Sequence, residues 1–253
     1  MSNGNFVWYE LMTTDVAAAK TFYTGLIGWG TQSMEGPMDY TMWTVGDNPV
    51  AGMMDLPEEA RKMGAPPHWL GYVSSDDLDA SLAQVSALGG NVLVPVTEIP
   101  GSGRFAVFAD PSGGVLGLYH SAADAGPDTG PSADPGLISW HEHMAPDLDK
   151  AWEFYEKLFG WKKTEAMDMG EFGLYQMYGK NEHTYGGMMK KPAEMPGPAT
   201  WAYYINVADM DGAVEKVKAT GGTVMNGPME VPGGSRVAQC TDPQGAVFAL
   251  HGK

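Results

Sequence analysis

The sequence predicts an α+β chain of two tandem domains, each built from two βαβββ units, and three observations predict it. The stretch Asp15-Val-Ala-Ala-Ala-Lys-Thr-Phe-Tyr-Thr-Gly-Leu-Ile-Gly-Trp29 returns as Asp147-Leu-Asp-Lys-Ala-Trp-Glu-Phe-Tyr-Glu-Lys-Leu-Phe-Gly-Trp161. The interval of 132 between Asp15 and Asp147 also separates Trp69 from Trp201, Arg104 from Arg236, Asp110 from Asp242 and Gly113 from Gly245. A shorter interval of 62 links Asp15 to Asp77 and Asp147 to Asp209, so each half is itself a repeat. Between Tyr40 and Tyr175, and between Met53 and Met188, the interval is 135, an insertion of three residues cancelled before Trp201.

The elements follow in order. Phe6–Met12 reads as a strand, and Asp15 stands where its carboxylate accepts the first N–H groups of a helix. Val16, Ala19, Phe22, Tyr23, Leu26 and Ile27 keep helical spacing, and Gly28 can take the left-handed conformation that ends a helix. Trp29 then begins a strand. Tyr40–Val45 and Val50–Met54 are strands around the turn Gly46-Asp47-Asn48-Pro49, and the charged, proline-bearing segment 56–67 reads as a connection. Trp69–Ser75 restarts the pattern. Asp77 caps a helix with Leu78, Leu82, Val85 and Leu88 on one face, ended by Gly89-Gly90. Strands at Val92–Val96, Arg104–Ala109 and Val115–Tyr119 complete the half, the last two joined by Asp110-Pro-Ser-Gly113. The expected domains are 1–120 and 137–253, joined by a linker, 121–136, rich in Ala, Asp, Gly, Pro and Ser.

With 253 residues and 43% hydrophobic content, each half can bury a core. A net charge of −16 argues against nucleic acid or an anionic membrane as partner. No apolar run approaches the ~20 residues of a membrane span, and the N-terminus lacks a signal-peptide flank, so a cytoplasmic protein is expected. The single cysteine, Cys240, excludes an internal disulfide and reads as a buried structural thiol.

Paired βαβββ units resemble the vicinal oxygen chelate superfamily of glyoxalase I, extradiol dioxygenases and bleomycin-binding proteins. The carriers are Asp15–Tyr23 and Asp147–Tyr155, with Pro-Gly-Ser-Gly-Arg104…Asp-Pro-Ser-Gly113 and Pro-Gly-Gly-Ser-Arg236…Asp-Pro-Gln-Gly245. Trp8-Tyr-Glu-Leu, Trp140-His-Glu-His and the two Gly-Met-Met runs narrow it to tandem-domain glyoxalase-like proteins. The resemblance implies a curved, mostly antiparallel sheet in each domain, around a cavity with helices outside, and a divalent metal in catalytic members. It implies metal ligands seven residues before each capping aspartate and seven after the aspartate of each Asp-Pro-x-Gly turn. Those positions are Trp8, Leu70, Trp140, Ala202, Gly117 and Ala249, none with a side chain able to hold the ion. No metal or other cofactor is therefore expected. A relocated set, His141, His143 and His251, is the alternative. On a strand His141 and His143 share one face and Trp140, Glu142 and Met144 the other, and the implied register turns the histidines toward the helices.

Glu10 and Glu142 recur at equal positions and should face the cavities, where desolvation would raise a carboxyl pKa and suit a general base or an anchor. A structural hydrogen bond or salt bridge, with Arg104 or Arg236 as partner, is the competing reading. Trp8, Trp140, Met53 and Met188 are the expected apolar lining. Arg104 and Arg236 could clamp an anionic group or simply start solvent-facing strands. The expected partner is a small apolar or aromatic molecule, bound by a monomeric pseudo-dimer or a homodimer. Catalysis by Glu10 or Glu142, of lyase, isomerase or oxygenase type, is the rival reading.

Overall fold

A computed structural model describes residues 4–34, 39–123, 130–195 and 197–253; residues 124–129 of the expected linker lie outside the described residues. The first half forms β1 (Phe6–Thr13), α1 (Val16–Ile27), β2 (Gly30–Met34), β3 (Tyr40–Val45), β4 (Asn48–Asp55), α2 (Glu58–Lys62), β5 (His68–Ser74), α3 (Leu78–Ala87), β6 (Asn91–Ile99), β7 (Gly103–Ala109) and β8 (Val115–Ser121). The second forms β9 (Ile138–Ala145), α4 (Leu148–Phe159), β10 (Lys162–Asp168), β11 (Leu174–Lys180), β12 (His183–Lys190), β13 (Thr200–Val207), α5 (Met210–Ala219), β14 (Thr223–Val231), β15 (Ser235–Thr241) and β16 (Val247–Gly252). Among the described residues two short elements were not anticipated: α2, within the expected connection, and a 3-10 turn at Gly170–Phe172 between β10 and β11. Glu58 and Glu59 in the first turn of α2 and Arg61 and Lys62 in its last complement the helix dipole.

The four capping aspartates act as expected: Asp15, Asp77, Asp147 and Asp209 accept from the backbone N–H of Ala18, Ala80, Lys150 and Gly212. Gly28 and Gly160 end α1 and α4 with φ of 83° and 68°, a left-handed conformation that a side chain would strain. Two curved eight-stranded sheets result, with orders β2-β3-β4-β1-β5-β8-β7-β6 and β10-β11-β12-β9-β13-β16-β15-β14. Hairpin neighbours are antiparallel, whereas β1/β4, β5/β8, β9/β12 and β13/β16 run parallel.

Each sheet stays within one half of the sequence, but the compact units do not. The first unit combines Met1–Val7, Gly71–Pro131 and Trp140–Trp201; the second combines Trp8–Leu70, Ser132–Ser139 and Ala202–Lys253. Buried polar bonds inside each unit show why. In the first, Trp201 Nε1 donates to Tyr155 Oη (3.1 Å), which donates to Asp110 Oδ2 (2.8 Å). In the second, Trp69 Nε1 donates to Tyr23 Oη (2.9 Å), which donates to Asp242 Oδ2 (3.2 Å). The tyrosine of each Phe-Tyr pair thus ties a helix of one half to the Asp-Pro turn of the other. Trp161 and Trp29 close the same cores, donating to the Gly4 and Gly136 carbonyls. Cys240 is wholly buried, and desolvation pushes its thiol up to about 12, as suits a structural residue. Among the described residues no helix is long and apolar enough to cross a membrane.

Candidate functional site

Alternation along β9 decides what each side chain of Trp140-His-Glu-His meets. On one face, in the first unit, Trp140 Nε1 donates to Tyr175 Oη (2.8 Å) and Tyr175 donates to Glu142 Oε2 (3.1 Å). The Tyr175 ring lies over Gly187 of β12, where any Cβ would run into it. Glu142 is 6% exposed. The second unit repeats the construction on β1: Trp8 Nε1 donates to Tyr40 Oη (2.9 Å), and the Tyr40 ring covers Gly52 of β4. Glu10, two residues along from Trp8 and on its face, is 7% exposed. Tyr40 and Tyr175 escaped the sequence reading as site residues, although their equal positions and the repeated Gly-Met-Met runs were the available signal.

The opposite face of β9 belongs to the helix layer. His141 Nδ1 lies 2.6 Å from the Tyr185 carbonyl, and Phe6 stacks on the ring at 3.7 Å. Burial takes its pKa down to about 3, so the imidazole is neutral. His143 stacks on Trp201 at 4.4 Å and meets Tyr155 edge-on. Its Nε2 is 3.2 Å from Asp110 Oδ2, but off the line of a good hydrogen bond. Burial pushes the Asp110 carboxyl up; His143, the Gly114 N–H and the Tyr155 hydroxyl outweigh that and hold it below the usual carboxylate range. Asp242 has no such neighbour. Leu11 occupies the position of His143, and burial keeps Asp242 raised against its bonds from Ala246, Gln244 and Tyr23.

Four expected lining residues stand elsewhere. Met53 and Met188 follow Gly52 and Gly187, so they point away from the tyrosines and are wholly buried behind the sheets. Their neighbours Met54 and Met189 take the tyrosine face instead. Arg236 holds Asp211 of α5 through two 2.9 Å bonds, so its fork is already occupied. Arg104 reaches Glu98 on the adjacent strand at 3.9 Å.

The positions implied for a metal do not fit one. Trp8 and Trp140 spend their indole N–H groups on tyrosines, and indole offers no lone pair. The Tyr72 ring covers Gly117, Ala249 pairs with Tyr204, and Leu70 and Ala202 are apolar and buried. The relocated histidine set does not form either: among the described residues no three His, Cys, Asp or Glu side chains are grouped to hold an ion. His251 is taken up by Asn206 and Ser235.

The chain is similar to the provisionally named glyoxylase CFP32 of Mycobacterium tuberculosis, at 34% identity over 247 residues, covering 96% of this chain and 92% of that one. It is also similar to an anthracycline biosynthesis protein, DnrV, of Streptomyces peucetius, at 29% identity over 256 residues and 96% and 91% coverage. In fold it matches a Mn(II)-bound glyoxalase from Novosphingobium aromaticivorans, with TM-score 0.63, 18% identity and 99% and 82% coverage. A homoprotocatechuate 2,3-dioxygenase from Brevibacterium fuscum matches with TM-score 0.69, 14% identity and 99% and 82% coverage. The family model for the glyoxalase, bleomycin resistance protein and dioxygenase superfamily matches twice, at residues 5–118 and 138–250, and the chain belongs to that superfamily.

Proposed function

We propose that the protein binds a planar aromatic small molecule on the Trp–Tyr–Glu faces of its sheets, without a metal at the superfamily's usual ligand positions. One observation carries this reading. At equal positions in each half, an indole N–H fixes a tyrosine over a glycine beside a nearly buried glutamate. Such rings offer flat apolar area, and the carboxylate and phenol offer polar groups to orient a ligand. The likeness to an anthracycline biosynthesis protein supports a polycyclic aromatic ligand class.

Titration with an anthracycline-type aromatic, followed by tryptophan fluorescence, tests this. Saturable quenching is expected. Glu142→Gln and Tyr175→Phe should each weaken binding about tenfold, the worth of roughly 1.4 kcal/mol for a hydrogen bond. Absence of saturable binding, or affinity indifferent to both substitutions, would sink the proposal. The Tyr175–Glu142 bond also favours a second reading, in which that pair moves a proton on the bound molecule. Turnover lost in Glu142→Gln while affinity changes little would establish it.

A further inference from the structure

We propose that the second unit carries a nucleophilic serine, Ser235, with His251 as its base and Asn206 as the residue that positions the imidazole. Ser235 Oγ is 2.9 Å from His251 Nε2, and His251 Nδ1 is 3.0 Å from Asn206 Oδ1. The proton positions follow from the surroundings. Asn206 Nδ2 donates to the carbonyls of Ser132 (2.9 Å) and Asp134 (3.2 Å), which sets the amide so that Oδ1 faces the histidine. Ser139 Oγ donates to the same oxygen at 2.7 Å. An acceptor opposite Nδ1 places the histidine proton there and leaves the Nε2 lone pair toward the serine hydroxyl. This is the tautomer a nucleophile–base pair needs. Burial lowers the His251 pKa, which favours the same neutral form at neutral pH.

The network also stands on a significant face. Asn206 pairs with His251 across β13 and β16, and His251 pairs with Val237 of β15, two residues beyond Ser235. Side chains two apart share a face, so the three lie together with Tyr204 and Ala249. Ala249 is the last-strand position where catalytic relatives are expected to hold their metal. Ser235 and His251 are half-buried, within reach of a small molecule. The first half has nothing equivalent: Gly103, Tyr119 and Ser74 occupy the three positions.

The step this arrangement supports is acyl transfer from a carboxylic ester. As Ser235 Oγ bonds to the carbonyl carbon, its proton passes to His251 Nε2. The tetrahedral adduct then collapses, the ester C–O bond breaks, and the leaving alkoxide takes that proton. Water, deprotonated by the same nitrogen, releases the acid and restores the serine. An uncharged ester fits best, because the chain is strongly acidic and Arg236, beside the serine, is bound to Asp211.

A fluorophosphonate applied to the intact protein is the direct probe, since attack by Ser235 expels fluoride and leaves a stable phosphonyl ester. One adduct per chain is expected, mapped to the Ser235 peptide in the wild-type protein. His251→Gln should slow labelling about 100-fold or more. Asn206→Ala should slow it and shift its pH profile. Hydrolysis of p-nitrophenyl acetate should follow the same order. A folded wild-type protein that takes no label, or takes it on another residue, overturns the assignment. So does a folded His251→Gln variant labelled at the wild-type rate. Neither result touches the aromatic-binding proposal.

Discussion

Gly114 and His143 of the first unit form a matched pair, and exchanging them for their counterparts in the second unit tests how the two cores are built. A Cβ at Gly114 would lie 2.7 Å from His143 Cε1 and 2.6 Å from Asp110 Oδ2. Both neighbours are buried, so neither can move into solvent. In the second unit the same positions hold Ala246 and Leu11, both wholly buried, around Asp242. Gly114→Ala alone should therefore cost about 1–3 kcal/mol as an overpacked core. His143→Leu alone should cost a similar ~1–3 kcal/mol, because buried Asp110 loses the imidazole whose Nε2 lies 3.2 Å from its Oδ2. Together they rebuild the Leu–Ala packing, and their combined cost should fall short of the sum by at least ~1 kcal/mol. Urea unfolding measures this directly, with the fluorescence of Trp201, stacked on His143, as the local reporter. Costs that add within about 0.5 kcal/mol would show that the glycine is not there to admit the imidazole.

Three further outcomes are expected. Carboxyl titration by NMR should find Asp110 below the unfolded reference of about 3.9 and Asp242 above it. Stability from Asp110 is then present above about pH 3.9 and lost as pH falls through its folded pKa, whereas that from Asp242 is full below about pH 3.9 and lost as pH rises through its folded pKa. His143→Leu should raise Asp110 toward Asp242, and an unchanged Asp110 would refute the assigned cause. Tyr155→Phe and Tyr23→Phe each strand a buried tryptophan N–H and an aspartate oxygen, so each should lower stability by about 2–4 kcal/mol in urea unfolding; a loss below ~1 kcal/mol would mean the relays are idle. Deleting residues 1–6 removes the Gly4 carbonyl from Trp161, the Asn5 oxygen from Tyr185 and the Phe6 ring from His141. The thermal midpoint should fall by about 6 °C or more, for a loss of ~3 kcal/mol, and an unchanged midpoint would show that this segment carries no stability.

Repeat arithmetic and local rules were enough to read the fold class. The capping aspartates, the glycine helix ends and the strand alternation act over a few residues, so a single sequence displays them. That the metal-ligand positions carry no donors was legible for the same reason, since it depends only on residue type at a counted position. The face of each β9 side chain followed from alternation, and the structure places Trp140 and Glu142 opposite His141 and His143. Met53 and Met188 went astray because the Gly-Met-Met runs offer two methionines on opposite faces. Only the tyrosine lying over each glycine shows which of them shares the tyrosine face. The arginines repeat faithfully, but repetition cannot show that Asp211 and Glu98 stand within reach. Asn206, Ser235 and His251 lie on three strands, too far apart in sequence for any local pattern to join them. Tertiary structure alone brought them together, as it alone set Tyr23 on Asp242 and Tyr155 on Asp110. The sequence presents each half as a domain; only the structure shows that buried hydrogen bonds also tie elements of both halves into each compact unit, because each Phe-Tyr helix meets the other half's Asp-Pro turn to satisfy its buried hydroxyl.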